Sequence, residues 1–259
     1  MIKKSIKLLK ENNSIILVYF IFFAITALIY FSLYPHNMYD YIQGESFDIA
    51  GYMFAMMKML IASLLMCGLS LLFISGYGNM MAEAIDYGKT SLKSFFPGIK
   101  KFFVRVLLMA LLSGAIVFGF SIIIGIVSVL FAFMMLALSG GDNILIVSIV
   151  IMLITVILLI LAMPFIILWL PSIFLDNIKI IQGLKNGFKA GVKNYGKLVL
   201  LLLVMYLPFF IYYIFAYDSL IQGKIYTPGY YIIILLDAIV GIVVLPISFL
   251  IYKDYKNKA

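Results

Sequence analysis

The chain alternates between long apolar runs and short polar connections. Six runs stand out, covering about residues 14–34, 51–77, 106–138, 144–175, 198–217 and 231–252. A helix crosses the hydrocarbon layer of a bilayer with about 20 apolar residues, and there it satisfies all its backbone hydrogen bonds internally. The pattern therefore predicts an all-α fold, a polytopic membrane bundle of six transmembrane helices that forms a single integral membrane domain over residues 1–259.

The third and fourth runs carry no charged residue and are joined by the short connection 139–143, so they predict a hydrophobic helical hairpin. Small residues recur along both runs at spacings of four and seven, which places them on one face of each helix. Such faces let membrane helices pack closely, and a seven-residue repeat favours a shallow left-handed crossing. The alternative is coincidence, because small residues are common in membrane helices. The predicted packing seam consists of Gly114, Ser121, Gly125, Ser128, Ser148, Thr155 and Ala162.

Amphipathic segments that precede odd-numbered spans predict interface helices on the cytoplasmic surface. Residues 1–13 combine four lysines with apolar residues at helical spacing, which indicates a short helix lying on the membrane. The connection between the second and third spans carries an apolar stripe, which the Pro97-Gly98 pair is expected to interrupt. The stripe consists of Leu92, Phe95, Phe96 and Ile99.

The segment before the fifth span predicts another surface helix, over residues 177–195, with Asp176 as its N-cap. An apolar stripe with steps of three and four runs along it, and lysines flank one side of the stripe. The other side carries Gly183, Gly187 and Gly191. Each glycine costs the helix on the order of 1 kcal/mol relative to alanine, so a second helix is expected close against that edge. The alternative is a frayed, partly irregular connection.

Basic residues indicate the side of the membrane on which each connection lies. Seventeen of the 19 Lys and Arg residues fall in the N-terminal segment, the second and fourth connections and the C-terminal segment. Those four segments share one side of a six-span protein, and the positive-inside rule makes it the cytoplasmic side. Both termini are therefore predicted to be cytoplasmic in a multi-pass protein of the cell membrane. The net charge of +8 then faces anionic lipids, which explains it without nucleic acid.

The composition supports the membrane class and removes most enzyme classes. The chain is 65% hydrophobic and 12% charged, whereas a soluble domain is nearer half apolar and a quarter charged. Cys67 is the only cysteine and His36 the only histidine, so a disulfide framework, a zinc cluster and a Ser-His arrangement are not expected. The sequence also lacks P-loop and dinucleotide-binding glycine motifs. We therefore expect a protein that is not an enzyme and has no cofactor.

Four charged residues are candidate functional groups. Intramembrane charges are costly and usually face the bundle interior, so Lys58 and Asp237 are predicted to pair in the outer half of the membrane. The alternative has Lys58 reaching outward to the interface and Asp237 bonded to a hydroxyl or backbone group. Strictly additive stability losses in a double-mutant cycle would exclude the pair. Glu83 and Asp86, at the cytoplasmic end of the second helix, are expected to form solvated ion pairs or to act as a cytoplasmic gate.

Two short segments resemble each other and suggest an internal repeat. Residues 95–102 and 188–195 share the form F-x-x-G-[IV]-K-x-[FY], and both lead into an odd-numbered span. The repeating unit would be a cytoplasmic surface helix followed by a two-span hairpin. The alternative is that similar positions at the membrane interface impose similar sequences.

A further motif carries a resemblance to a known group of proteins. The stretch Leu170-Pro171-Ser172-Ile173-Phe174-Leu175-Asp176, followed by Gly183-Leu184-Lys185-Asn186-Gly187-Phe188, resembles a pattern in six-helix bacterial membrane proteins. That group includes the membrane domain fused to some glycerophosphodiester phosphodiesterases, and related stand-alone families. The resemblance implies the six-helix topology. It implies no catalytic residue, because no soluble phosphodiesterase domain accompanies the predicted spans in this sequence.

Two function classes fit these observations. The first is a transporter or a lipid- or amphiphile-handling component without its own energy-coupling domain, in which prolines such as Pro164 and Pro208 kink helices beside a path. The second is a non-transporting accessory or assembly subunit that binds another membrane protein. The expected partners are membrane lipids, anionic on the cytoplasmic side, and a membrane protein or a second copy of the chain. A water-filled cavity reaching Asp237 would favour the first class, and an exposed small-residue face the second.

Reporter fusions test the predicted topology. With six spans and both termini inside, reporters fused after Asn143 and Lys224 should read outside, and those after Gly98 and Lys189 should read inside. The expectation follows from the distribution of basic residues among the connections. An inside signal at Asn143 would overturn the six-span arrangement.

Overall fold

A computed structural model describes residues 1–33, 49–139, 154–155, 157–158, 160–207 and 228–258 of the chain. At positions 132, 135–139 and 228–237 it describes the backbone only. Within these residues the regular secondary structure is helical throughout, without strands. The all-α class predicted from the apolar runs is therefore confirmed.

Helices make up most of the described residues. In chain order they are α1 (Ile2–Glu11), α2 (Asn13–Leu33), α3 (Ile49–Tyr87), α4 (Phe95–Ser139), α5 (Trp169–Asp176), α6 (Ile180–Lys193), α7 (Tyr195–Leu207) and α8 (Pro228–Lys256). Short 3₁₀ turns at Leu92–Ser94 and Met163–Phe165 come before α4 and α5.

Several of these helices have the length and apolar composition of membrane spans. Among the described residues, four meet that description: Asn13–Leu33, Ile49–Tyr87, Leu92–Phe131 and Ala238–Lys256. The pair α6 and α7 makes a fifth if it is counted as one span, although it bends by 87° at its break. The described part of the protein thus has four to five helices long and apolar enough to cross a membrane. The predicted connection 140–143 and the predicted span residues 144–153 and 208–217 lie outside the described residues.

The fourth apolar run departs from the single helix expected over 144–175. Its described part breaks at the 3₁₀ turn Met163–Phe165 and resumes as the short helix α5. Pro164 lies in that turn and is buried. Proline lacks a backbone N–H and crowds the carbonyl four residues before it, which explains why the helix stops there.

Two further predictions of local structure are wrong. Asp176 does not cap a following helix, because it is the last residue of α5 and Asn177 then turns the chain with a φ of 50°. The next helix, α6, begins only at Ile180, after Lys179 in an extended conformation. Pro97 does not interrupt its apolar stripe either. It is the third residue of α4, and the first backbone N–H groups of a helix have no intrahelical partner to lose.

The described residues form two compact units, each built from segments that are distant in sequence. The first unit contains Met1–Phe103 and Val204–Leu250, and the second contains Val104–Leu203 and Ile251–Ala259. Each unit has its own buried core.

The core of the first unit surrounds the second half of α3. Residues 75–82 are all buried, and eight consecutive helical residues cover every side of a helix. Two residues before this stretch, the Phe73 ring stacks on that of Phe22 in α2, with 4.0 Å between centroids. Such an aromatic pair contributes about 1 kcal/mol beyond its buried area. At α1, the buried Ser5 hydroxyl donates to the Val243 carbonyl of α8 at 2.9 Å.

The core of the second unit is the contact of α6 with α5 and the turn before it. Gly183, Gly187 and Gly191 form the buried edge of α6, and the close neighbour predicted from them is present. A Cβ atom added to Gly183 would lie 2.5 Å from Ile173 Cγ1, and one added to Gly187 would lie 2.8 Å from the Leu168 carbonyl oxygen. Because real Cβ atoms essentially never come so close to other atoms, this edge accepts glycine alone.

Alanine substitutions at two glycines test this packing. Gly187→Ala should lower the thermal midpoint in detergent, because the new methyl group meets backbone atoms of Leu168 and Trp169 that cannot move aside. We expect a loss of about 2 kcal/mol, as in other overpacked cores. Gly196→Ala in α7 meets no described atom within 4 Å and should stabilise slightly through helix propensity. Equal effects of the two substitutions would contradict the close contact.

Candidate functional site

A polar network at the buried end of α3 gathers three stretches of the first unit. The Asn79 amide donates to Glu83 Oε1 and to the Ser94 carbonyl, both at 3.0 Å. Glu83 Oε2 accepts a hydrogen bond from the Thr90 hydroxyl at 3.1 Å. Asn12, at the junction of α1 and α2, accepts one from the Thr90 backbone N–H at 2.8 Å. These bonds hold the connection after α3, and with it the approach to α4, in one conformation.

The beginning of α4 is pressed against α3 at two glycines. A Cβ atom on Gly76 would lie 2.5 Å from the ring of Phe95, and one on Gly98 would lie 2.5 Å from Asn79 Cβ. Gly98 is buried at this contact. The backbone of α4 can therefore approach α3 closely enough to lay its apolar stripe along the neighbouring helices.

An apolar groove of about 420 Å³ lies between α2, α3 and the start of α4. From α2 it is lined by residues that include Ile21 and Ile25, and from α3 by residues that include Leu69 and Leu72. The apolar stripe predicted from the sequence contributes all four of its members. The volume falls within the range of small-molecule sites, about 300–1,000 Å³. Since every described lining side chain is apolar, the groove suits an alkyl chain.

Exposed lysines lie on the same connection as one wall of the groove. Lys89 follows the end of α3, Lys93 directly follows the lining residue Leu92, and Lys100 lies one helical turn after the lining residue Phe96. Among the described residues, no ion pair involves these three lysines. The segment that forms one wall of this uncharged groove therefore carries positive charge.

A second polar cluster joins α5 to the end of α8 within the second unit. Asp176 accepts a hydrogen bond from the Tyr252 hydroxyl, and its Oδ1 atom lies 2.7 Å from Lys256 Nζ. The Asp176 side chain is only 12% exposed, so this ion pair is less screened than an exposed one. Beside it, Arg105 donates to the Asn177 side-chain oxygen at 2.9 Å. These contacts hold the turn between α5 and α6 in place against Arg105 and the end of α8.

The charged residues chosen from the sequence lie in different surroundings. Lys58 Nζ lies 4.6 Å from the ring centroid of Phe54, one turn earlier in α3. The Asp237 side chain lies outside the described residues, so its pairing with Lys58 stays a prediction. Glu83 belongs to the polar network, whereas Asp86 is exposed in the last turn of α3. Their role as a cytoplasmic interface or gate also stays a prediction.

The predicted packing seam is described on its α4 side and, on the facing run, only at Thr155 and Ala162. Gly114, Ser121 and Gly125 are exposed on α4, and no described atom lies within 4 Å of a Cβ added to either glycine. The facing residues 144–153, which include Ser148, lie outside the described residues. The seam therefore stays a prediction. Its partly exposed members are Ser128, Thr155 and Ala162.

The described residues contain no candidate metal site, and two of their buried polar groups lack a hydrogen-bond partner. No three His, Cys, Asp or Glu side chains in the described part of the chain come together closely enough to hold a metal ion. The buried Tyr77 hydroxyl and the buried Trp169 indole N–H have no hydrogen-bond partner among the described residues. Buried polar groups are rarely unpaired, and we have no structural account of these two.

Of the residues that position the groove wall, only Glu83 is among the candidates predicted from the sequence. Asn79 and Glu83 are four residues apart on α3, a spacing that puts polar groups on one helix face, and this signal was available. The glycines of the contact, Gly76 and Gly98, lie on different helices, so no spacing relates them. Asn12 lies inside the predicted surface segment 1–13, and no pattern in that segment points to its partner Thr90, 78 residues away.

Comparison with known proteins gives a family and nothing more specific. A family model described as a domain of unknown function (DUF7847) matches residues 1–254 of the chain. No curated protein matches the chain, and no solved structure does.

The substitution Asn79→Asp tests the polar network, because it replaces an amide that donates with a carboxylate that only accepts. It removes the bond to the Ser94 carbonyl and sets a second negative charge beside Glu83. At neutral pH we expect a loss of about 2 kcal/mol in thermal unfolding. Asn257→Asp makes the same change at an exposed position and should have little effect. Comparable losses would mean that the network does not hold the connection.

Proposed function

The chain belongs to the DUF7847 family, and we propose that it is a multi-pass protein of the cytoplasmic membrane that binds amphiphiles at the apolar groove. It would act as a transporter or a lipid-handling component. One observation carries the proposal: a groove of about 420 Å³, whose described lining side chains are all apolar, lies beside helices long and apolar enough to span a membrane.

The chemistry of the groove favours a hydrocarbon chain over a polar solute. A polar group entering it would lose its hydration without finding a hydrogen-bond partner on the described walls, which costs several kcal/mol. An alkyl chain makes no hydrogen bonds to water, so it enters the groove without this cost. The groove is also confined by a wall that the polar network and two glycine contacts hold in place, so its shape is set before a ligand enters.

Six spans with both termini in the cytoplasm form the topology we propose. Four to five of the described helices are long and apolar enough to serve as such spans, and the basic connections favour this orientation. The exposed apolar stripe of α6 supports the cytoplasmic surface helix of this topology. Its members Ile181, Phe188 and Val192 are 81%, 47% and 51% exposed. Lysines flank that stripe. A helix with this pattern fits the boundary between lipid tails and headgroups.

The second candidate is an accessory or assembly subunit that binds another membrane protein. One observation favours it: Gly114, Ser121 and Gly125 form a small-residue face that is exposed on the described part of α4. Small faces are where membrane helices dock. The resemblance to membrane domains fused to phosphodiesterases is compatible with either candidate. Loss of a co-purifying partner in Gly125→Leu, with amphiphile binding unchanged, would favour this second function.

Photolabelling with an alkyl probe tests amphiphile binding. In bilayer nanodiscs, a lipid with a photoreactive group on its chain should label peptides that contain Leu69 and Phe96. Leu72→Trp fills the groove and should reduce that labelling severalfold. Leu64→Trp is the matched control, since Leu64 lies on the same helix, is 65% exposed and does not line the groove. Labelling of the groove peptides that is the same in both variants would contradict the proposal.

A further inference from the structure

We infer that the apolar groove takes the alkyl chain of an anionic membrane lipid, whose headgroup binds Lys89, Lys93 and Lys100. The inference rests on the proposed function of the groove. It adds the charge of the ligand and the residues that recognise that charge.

The groove by itself cannot distinguish one membrane lipid from another. Lipid tails are as apolar as leucine side chains, so a chain that moves from the bilayer into the groove gains packing but no hydrophobic free energy. All described lining residues are apolar, and they offer a headgroup nothing to bind. Selection among lipids must therefore come from groups at the edge of the groove.

Three lysines that are close in sequence to lining residues supply such groups. Lys93 is bonded directly to the lining residue Leu92, and Lys100 follows the lining residue Phe96 by one turn, a rise of about 5.4 Å. A lysine stem of four methylene groups lets the ammonium reach a headgroup while its carbons rest on apolar surface. A lipid with its chain in the groove would thus place its phosphate among these ammonium groups.

The charge of these lysines remains available to a ligand. Of the two acids close to this connection, Glu83 is half-buried, with its two oxygens engaged by the Asn79 amide and the Thr90 hydroxyl, and Asp86 is exposed in the last turn of α3. The lysines themselves are exposed. The lysines lie on the connection predicted to be cytoplasmic, where anionic lipids concentrate. Charge complementarity therefore favours an anionic lipid over a zwitterionic one.

A headgroup comparison in nanodiscs tests the inference on the unsubstituted protein. Two photoreactive lipids with the same chain are used, one with a phosphatidylglycerol headgroup and one with a phosphatidylcholine headgroup. The anionic probe should label the groove peptides with about a tenfold preference, the factor expected if the lysines together contribute little more than one charge contact.

Two triple variants then identify the residues responsible. Lys89→Gln, Lys93→Gln and Lys100→Gln together should abolish the preference while the neutral probe still labels the groove. The control carries the same change of charge at three exposed lysines of the second unit, Lys179→Gln, Lys185→Gln and Lys189→Gln, and should keep the preference. Thermal midpoints of both variants check that they are folded.

Each contrary result has one meaning. Equal labelling of the unsubstituted protein by the two probes would overturn the inference and leave amphiphile binding intact. Absence of groove labelling with both probes would overturn the inference and the proposed function together. An equal loss of preference in the two triple variants would overturn the assignment to these lysines, because the overall surface charge would then explain the selectivity.

Discussion

In both units a helix lies so close to a neighbouring segment that its contact positions accept glycine alone. In the first unit these positions are Gly76 and Gly98, where α4 meets α3, and in the second they lie along α6. Lipid does not drive apolar helices together, so membrane helices associate through close packing and hydrogen bonds. The absence of a few methyl groups is therefore what allows these contacts, and the remaining features of each unit follow from them.

The contact in the first unit creates the groove. Once the start of α4 lies on α3, the Asn79 amide reaches the Ser94 carbonyl, and the network fixes the connection between the helices. The apolar stripe of that connection then becomes one wall, with α2 and α3 as the others. A shaped apolar surface thus arises between α2, α3 and the start of α4. The lysines belong to the same connection as one of its walls.

The motif shared by residues 95–102 and 188–195 has the same structural use in both places. Its glycine is Gly98 in the first copy and Gly191 in the second. Gly98 lies against Asn79 of α3, and Gly191 lies against the Pro164 carbonyl. The lysine that follows each glycine by two residues, Lys100 or Lys193, is exposed. The repeated sequence therefore corresponds to a repeated arrangement, in which the glycine is buried at a helix contact and the lysine is exposed.

Features that depend on local periodicity could be predicted from the sequence, and features that depend on distant partners could not. The apolar runs predicted helices because a bilayer leaves the backbone no alternative, and the glycine spacing predicted a close neighbour for α6. Asp176 was misread as an N-cap because its partner Tyr252 is 76 residues away. Thr90 and Asn12 are separated by 78 residues. The four-residue apolar stripe could be predicted from its own sequence. The helices that complete the groove could not, because the pattern within one segment does not indicate which segment packs against it.

The free energy of unfolding of Gly98→Ala, measured with and without Asn79→Gly, tests the close contact most directly. An added Cβ at position 98 would lie 2.5 Å from Asn79 Cβ. The account predicts a loss of about 2 kcal/mol from Gly98→Ala in the otherwise unchanged protein, as expected for overpacking. In the Asn79→Gly background the 2.5 Å contact is gone and only the Gly76 Cα, at 3.2 Å, still lies close, so the loss should fall to less than half. An identical loss in both backgrounds would contradict the account, because the two positions would then not be in contact.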